Sequence, residues 1–282
     1  MSRRNSDRMG GPMRSNAKTP KAPQPEGFSF VVPTDFAELP SNGKYYPEDH
    51  PLHNQQVIEF KHMTAKEEDI LTSKTLLKKG IAIDRVIQNV IVDKSIDPDS
   101  LLVGDRNALI IALRGASYGN DYETGVACPS CSSKVQYSFD LEAANTYSGE
   151  DISDMDIANN DDGTFEVILP ATKLTVVFKL LNGREEKNYL KSIDTGNKNK
   201  GTERVVSQQL MAIMVSINGD SRIETRRYVS ENLPSKDSRY LRAAYKLANP
   251  NVNLTQTFVC SSCGYEADME VPLSADFFWP DK

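Results

Sequence analysis

Four cysteines are the residues of this 282-residue chain whose type and spacing most directly indicate chemistry. They form two Cys-x-x-Cys pairs, Cys128 with Cys131 and Cys260 with Cys263, and no other cysteine is present. Two intervening residues allow both thiolates of a pair to face one ion, and tetrahedral Zn²⁺ takes four such ligands. The sequence therefore predicts one structural zinc ion per chain, held by all four cysteines, with no open position for catalysis.

The segments beside each pair have the alternating pattern of β-strands, as in residues 134–139 after the first pair and 255–259 before the second. A strand, a Cys-x-x-Cys turn and another strand form the pattern of a zinc ribbon. Two alternatives stay open from the residues alone, a redox or disulfide pair and an iron–sulfur cluster. Neither pair opens a helix, and the N-terminal residues contain no apolar secretory segment, which predicts a reducing compartment and favours metal binding.

Other residues that could support catalysis are few. The three histidines, His50, His53 and His62, lie far from the cysteines in sequence, and we expect His50 and His53 in a solvent-exposed loop. The chain contains no glycine-rich phosphate loop, no Gly-x-Ser-x-Gly motif and no HExxH motif. Asp105 and Asp237 are expected in the first turns of helices, where a carboxylate caps the helix, and not as a catalytic pair. The sequence thus predicts a protein that is not an enzyme.

An internal repeat becomes visible when the two cysteine pairs are superposed by a shift of 132 residues. Without a gap, the same shift places Asp105 on Asp237, and it also superposes Leu109 on Leu241, Ala112 on Ala244 and Ala116 on Ala248. Such a repeat indicates duplication of a unit made of a helix and a cysteine hairpin. The predicted fold is therefore α+β, with two similar helix-plus-hairpin halves joined by a split zinc ribbon.

The composition along the chain predicts four segments. Residues 1–26 are a basic, disordered tail, because they contain almost no large apolar side chains. Residues 27–141 form the first half, with an extended N-terminal segment. Residues 142–163 carry seven acidic residues and no Lys or Arg, which is typical of a linker without regular structure. Residues 164–282 form the second half, with an aromatic C-terminus.

The expected elements follow from apolar periodicity and capping signals. A capping box at Thr64 and Glu67 predicts a helix start, and Asn42-Gly43 predicts a turn. Helices are expected at about residues 64–77, 84–93, from 105 onward, 183–193, 203–217 and 235–249. Strands are expected at residues 57–61, 164–169 and 174–180.

The net charge of −6 disfavours broad binding to nucleic acid, which requires a field of Lys and Arg. An alternative function is a zinc-ribbon protein that binds nucleic acid in transcription or replication. It would need basic residues near the cysteines, but only Lys134 is basic between residues 119 and 141, and none is basic between 254 and 271. No apolar run is long enough to span a membrane.

Three adjacent aromatic residues, Phe277, Phe278 and Trp279, stand near the C-terminus in polar surroundings. They either pack back onto the domain or contact another subunit, because Trp and Phe dominate the binding energy of protein interfaces. The sequence leaves both readings open.

An ordered set of motifs resembles the T4-like bacteriophage baseplate family, described as hub subunits or hub assembly chaperones. The motifs are LPSNGKYY at 39–46, MTAKEEDILTS at 63–73, VGDRN at 103–107, RGASYG at 114–119, CPSC at 128–131 and FFWP at 277–280. The resemblance covers residues 36–282. It implies a non-enzymatic protein that binds other tail proteins, in the host cytoplasm during assembly and in the tail baseplate of the virion.

Overall fold

The computed structural model describes residues 30–78, 80–149, 151–200, 204–271 and 275–278. The described residues from Pro33 onward form one compact unit. The predicted basic tail, residues 1–26, and Trp279 lie outside the described residues. The fold mixes helices with several small antiparallel sheets, as predicted.

The first half consists of a hairpin, a helical layer and the first cysteine hairpin. Its elements are β1 (Thr34–Glu38), β2 (Val57–Lys61), α1 (Ala65–Thr72), α2 (Lys74–Lys78), α3 (Ala82–Val90), α4 (Val103–Tyr118), β3 (Asp121–Ala127) and β4 (Lys134–Asp140). The elements that follow are β5 (Asn145–Tyr147), β6 (Ala158–Asn159), β7 (Thr164–Ile168), β8 (Thr175–Lys179), α5 (Gly183–Lys200), α6 (Val205–Ile213), β9 (Met214–Ile217), α7 (Ile223–Asn232), α8 (Ser235–Ala248), β10 (Asn251–Asn253), β11 (Thr255–Val259) and β12 (Glu266–Glu270).

The similarity of the halves extends upstream of the segment that the cysteines align. Strands β1 and β7 are both five residues long, both begin with Thr, and both are followed by Leu-Pro, at a shift of 130 residues. Each pairs antiparallel with the next strand, β1 with β2 and β7 with β8. Both halves then continue with helices and a cysteine hairpin, although the second half inserts β9 between its helices.

Local signals account for several of these elements. The N–H of Thr64 donates to the Glu67 carboxylate at 3.0 Å, so the predicted capping box starts α1. Asn42 and Gly43 both have positive φ, at 51° and 70°, which confirms the predicted turn. In the helix α4, Leu109 and Leu113 are fully buried one turn apart, as the periodicity predicts.

Three predictions about elements were wrong. The first helix ends at Thr72 and a separate helix, α2, begins at Lys74, because Ser73 has an extended backbone. The predicted helix at 203–217 ends at Ile213 and continues as β9, which completes the sheet β6-β7-β8-β9. The predicted linker at 142–163 contains β5 and β6, which pair with β10 and β7, so its polar residues serve as short edge strands.

Two hydrophobic cores fill the unit, and the second cysteine hairpin does not pack with its own half. One core contains β1, β2, α1, α3, α4 and both cysteine hairpins. The other contains β7, β8, β9, α6 and α8. Phe258, Cys260 and Val271 of the second half all belong to the first core. The chain therefore crosses back onto its first half after α8.

The described C-terminal aromatics belong to the first core as well. Phe277 and Phe278 are each 3% exposed, and the Phe277 ring meets Tyr122 edge-on with centroids 5.1 Å apart. The buried guanidinium of Arg114 donates from Nε to the Phe277 carbonyl at 2.8 Å. Of the two readings that the sequence left open, the burial of Phe277 and Phe278 fits packing back onto the domain.

Candidate metal centre

The two cysteine hairpins position their ligands with the same backbone pattern. The N–H of Cys128 donates to the Ser133 carbonyl at 2.9 Å, and the N–H of Ser132 donates to the Cys128 carbonyl at 2.9 Å. The N–H of Cys260 donates to the Tyr265 carbonyl at 2.8 Å, and Gly264 donates to the Cys260 carbonyl at 2.9 Å. Each turn thus folds around its first cysteine.

The four sulfurs converge at one place. All four Sγ atoms lie within 4.8 Å of one another. The Sγ atoms of Cys128 and Cys263 are 3.8 Å apart, and those of Cys131 and Cys260 are 3.9 Å apart. A tetrahedral ion with Zn–S bonds of about 2.3 Å places its sulfurs about 3.8 Å apart. The four cysteines therefore could hold one tetrahedral metal ion, with two ligands from each hairpin.

The same distances bear on the two alternatives that the sequence left open. All four cysteines are free, and the two measured separations between hairpins far exceed a disulfide bond of about 2.05 Å. In a cluster of several irons, the cysteines are divided among different ions, which spreads the sulfurs farther apart than a single ion does. The donor set and its spacing fit one ion better than either alternative.

The electrostatics of the cluster favour a bound cation. The pKa of Cys131 is lowered to about 6, chiefly by hydrogen bonds from the side chain and backbone of Ser133. The N–H of Tyr265 lowers the pKa of Cys263, but the contact with Cys131, together with burial, outweighs it and raises that pKa to about 12. The Cys131 thiolate thus disfavours ionisation of the neighbouring Cys263 thiol, and a divalent cation bound between them would offset that repulsion.

Contacts beside the sulfurs also join the hairpins. The Tyr137 ring lies 5.0 Å from the Phe258 ring, and its hydroxyl donates to the Thr257 carbonyl at 2.9 Å. The side-chain amide of Gln256 donates to the Asp140 carbonyl at 2.6 Å. The alternation of Tyr137 and Phe139 in β4 indicates a buried face of that strand. The residues near them in sequence do not identify Phe258 as the partner of Tyr137.

The histidines form no catalytic arrangement. His50 and His53 are half-buried and hydrogen-bonded, so the expectation of exposed loop residues was wrong. His50 Nδ1 accepts the N–H of Leu52 at 3.1 Å, which leaves the hydrogen on Nε2, 2.8 Å from the Ser100 hydroxyl. That nitrogen donates to Ser100 and has no lone pair to take the serine proton, so the pair lacks the geometry of a nucleophile and its base.

Asp105 lies in the first turn of α4, as predicted, but it holds a distant loop and does not cap its own helix. Its carboxylate accepts the N–H and hydroxyl of Ser41 at 3.0 and 2.6 Å, and the Tyr46 hydroxyl at 2.7 Å. Burial raises the pKa of Asp105 above its ordinary value, although these hydrogen bonds oppose the shift.

Asp237 occupies the matching position in α8 and holds the matching loop of the second half. It accepts the N–H groups of Ala171 and Thr172 at 2.7 and 2.9 Å, and the Thr172 hydroxyl at 2.7 Å. Burial pushes the pKa of Asp237 upward, but these hydrogen bonds, with Lys236 nearby, outweigh burial and lower it. The two aspartates serve separate loops, so each stabilises its own half.

The surface of the cysteine hairpins is acidic. Exposed carboxylates lie on both hairpins, including Glu123 on β3 and Asp268 on β12, and Lys134 is the one basic residue of these four strands. This surface does not match a phosphate backbone. Among the described residues, no helix combines the length and apolarity needed to span a membrane.

The fold and the site define a mixed helix-and-sheet protein in which four clustered cysteines could hold a metal ion. Residues 33–279 match the family model described as T4 bacteriophage base plate protein, and the chain belongs to that family. This match confirms the resemblance carried by the sequence motifs. Neither the curated proteins nor the solved structures include a match to this chain.

Proposed function

We propose that this chain is a non-enzymatic hub component or assembly factor of a phage tail baseplate, stabilised by one structural zinc ion. It would act by binding other tail proteins, in the host cytoplasm during assembly and in the tail of the virion. Family membership supports the baseplate role. The sulfur separations of 3.8 and 3.9 Å between the hairpins are the observation that supports the ion.

The proposal includes a division into two related halves, residues 27–141 and 164–282. The matched turns around Cys128 and Cys260 and the matched aspartates support this duplication. Since each half supplies one pair of ligands, the ion would cross-link chain segments about 130 residues apart. A closed four-thiolate site has no position for a reacting water, which supports a structural role.

Metal content tests the ion directly. Protein purified without chelators should contain about one zinc per chain by elemental mass spectrometry. Cys128→Ser and Cys263→Ser should each lose the metal, whereas Ser130→Ala, an exposed change within the same turn, should keep it. Iron in place of zinc, or no metal in freshly prepared protein, would contradict this part of the proposal.

The baseplate role needs a separate experiment. A phage whose gene for this chain is inactivated should accumulate heads and free tail proteins without complete baseplates. Quantitative mass spectrometry of purified tails then distinguishes a component, present at fixed copy number, from an assembly factor, present in the infected cell but not in the particle. Normal infectious particles from the inactivated phage would refute both versions.

A further inference from the structure

A basic groove lies on the second half, away from the cysteines. A cavity of about 670 Å³ opens between the starts of α6 and α8 and the end of α7. Three arginines line it, Arg204, Arg239 and Arg242. Val205 and Val206 also line it and are 39% and 41% exposed, so the groove offers apolar atoms beside its charges.

Most of the positive charge in this groove has no partner within the described part of the chain. Arg204 forms an ion pair with Glu231 at 3.0 Å, and both side chains are nearly half exposed. Arg239 and Arg242 form no ion pair with a described residue, and the Nε of Arg242 is buried without a hydrogen-bond partner. A buried donor without a protein partner needs an acceptor from water or from a ligand.

Two helix N-termini reinforce the charge. The first residues of α6 and α8 line the same groove, and neither helix has a side-chain cap at its start. The N–H groups of an uncapped first turn carry a partial positive charge and bind carboxylates or other anions. The groove thus fits a ligand with several carboxylates and some exposed apolar atoms.

The chain itself presents such a surface on its second cysteine hairpin. Glu266, Asp268 and Glu270 alternate along β12 and are all exposed, so they lie on one face about 6.8 Å apart. Val259 lies opposite Glu266 in the hairpin and is 46% exposed. This acidic face has the charge and apolar content that complement the groove.

We propose that the groove binds the acidic face of the β11–β12 hairpin of a second copy of this chain. Within one chain the hairpin packs in the first core, whereas the groove is lined by α6, α7 and α8 beside the second core, so the two surfaces lie in different parts of the unit. The contact joins two different surfaces, so it would continue from copy to copy and produce a ring or a filament. It is independent of the baseplate role and adds a self-association that family membership does not specify.

The test measures the mass of the full-length, metal-loaded protein in solution by analytical ultracentrifugation. Wild-type protein should self-associate with rising concentration at about 0.1 M salt and much less at about 1 M salt, because exposed ion pairs are screened. Arg239→Glu should weaken association at least about tenfold. Arg227→Glu is the matched control, since it makes the same charge change at an exposed residue of α7 outside the groove, and it should leave association unchanged.

A charge swap makes the test specific for the hairpin. Asp268→Arg should weaken association as Arg239→Glu does, and mixing the two variants should restore it, because each altered surface then meets a complementary one. Zinc content and circular dichroism verify folding, and Glu266→Arg replaces Asp268→Arg should that variant not fold. Wild-type protein that stays monomeric at all concentrations, or a mixture that associates no better than its components, would overturn the proposal.

Discussion

The two halves of the chain place corresponding residues in different surroundings. Gly104 and Lys236 are matched by the 132-residue shift, but Gly104 packs against the backbone of Pro250, whereas Lys236 is exposed. The next residues, Asp105 and Asp237, are both buried and both hold a loop, yet their pKa values shift in opposite directions. Two positions with matching backbone surroundings therefore need not make the same contribution to stability.

The cysteine turns differ least between the halves, and the cores differ most. Both turns have the same hydrogen bonds around the first cysteine. In contrast, the first core contains both hairpins, and the second core contains neither. The second hairpin is thus covalently part of one half and packed with the other. Substitutions at matched positions can therefore test which contributions to stability the two halves share and which differ because their packing differs.

The largest effect is expected at the buried ligands. Cys128→Ser and Cys260→Ser should each remove the metal and lower the free energy of unfolding by several kcal/mol, since structural zinc in small peptides contributes on the order of 10 kcal/mol. The two losses should agree within about 1 kcal/mol if the hairpins are equivalent. Urea unfolding followed by circular dichroism measures both. A variant that keeps its metal would show that the centre does not need both hairpins.

The next largest effect concerns the close approach at the start of α4. A Cβ at Gly104 would overlap the carbonyl oxygen of Pro250, so Gly104→Ala should destabilise the protein by about 3 kcal/mol. Lys236→Ala, at the matched exposed position, should change stability by less than about 0.5 kcal/mol. Thermal unfolding of the metal-loaded variants compares them. Equal effects at the two sites would contradict the difference in packing described here.

Asp105 and Asp237 should make the free energy of unfolding depend on pH in opposite directions. Because the pKa of Asp105 is raised, the folded state binds more protons at this residue than the unfolded state does. The contribution of Asp105 to the free energy of unfolding is therefore fully present below the ordinary pKa of 3.8 and falls as pH rises above it. Because the pKa of Asp237 is lowered, the contribution of this residue to the free energy of unfolding is present above the ordinary pKa of 3.8 and is lost as pH falls below it.

Unfolding free energies of wild-type protein, Asp105→Asn and Asp237→Asn, measured across the acid range, check this pair. The difference between wild type and Asp105→Asn should shrink as pH rises, and the difference between wild type and Asp237→Asn should grow. Parallel slopes for the two variants would show that the matched aspartates have the same environment after all.

The smallest effect on stability is expected at the residue that follows the second cysteine of each pair. Ser132 and Gly264 both have positive φ, at 59° and 69°, and a Cβ at Gly264 would meet no atom within 4 Å. Gly264→Ala should therefore cost about 1 kcal/mol from backbone conformation alone, and Ser132→Gly should gain about 0.5 kcal/mol. Unfolding of the metal-loaded proteins measures both, and a loss in Ser132→Gly would mean that its side chain stabilises the turn.

The sequence by itself determined the features that depend on short spacing. Local patterns predicted the two cysteine pairs that converge and the strands beside them. They also predicted the capping box at Thr64 and the strand pair of residues 164–168 and 175–179. The repeat was visible because the two helices and cysteine turns kept the same separation. In each case neighbouring residues decide the geometry through hydrogen bonds or side-chain period.

The sequence missed α7, and the reason is its composition. Ile223 and Tyr228 of this helix are 48% and 69% exposed, so its apolar residues do not mark a buried face. The helix is placed by its neighbours, as in the bond from Arg226 to the Met214 carbonyl at 3.0 Å. Periodicity predicts a helix only where one of its faces is buried.

Only the tertiary structure decided which core the second hairpin joins, where Phe277 and Phe278 lie, and which arginines converge in one groove. Each depends on contacts between residues that are distant in the chain, such as Arg114 with Phe277 or Tyr137 with Phe258. Apolar side chains gain similar free energy from burial against any well-packed neighbour, so their types alone do not name the partner. The cysteines are the exception, because their type and number predicted that they would meet. A tetrahedral ion requires four ligands, and the chain contains four cysteines.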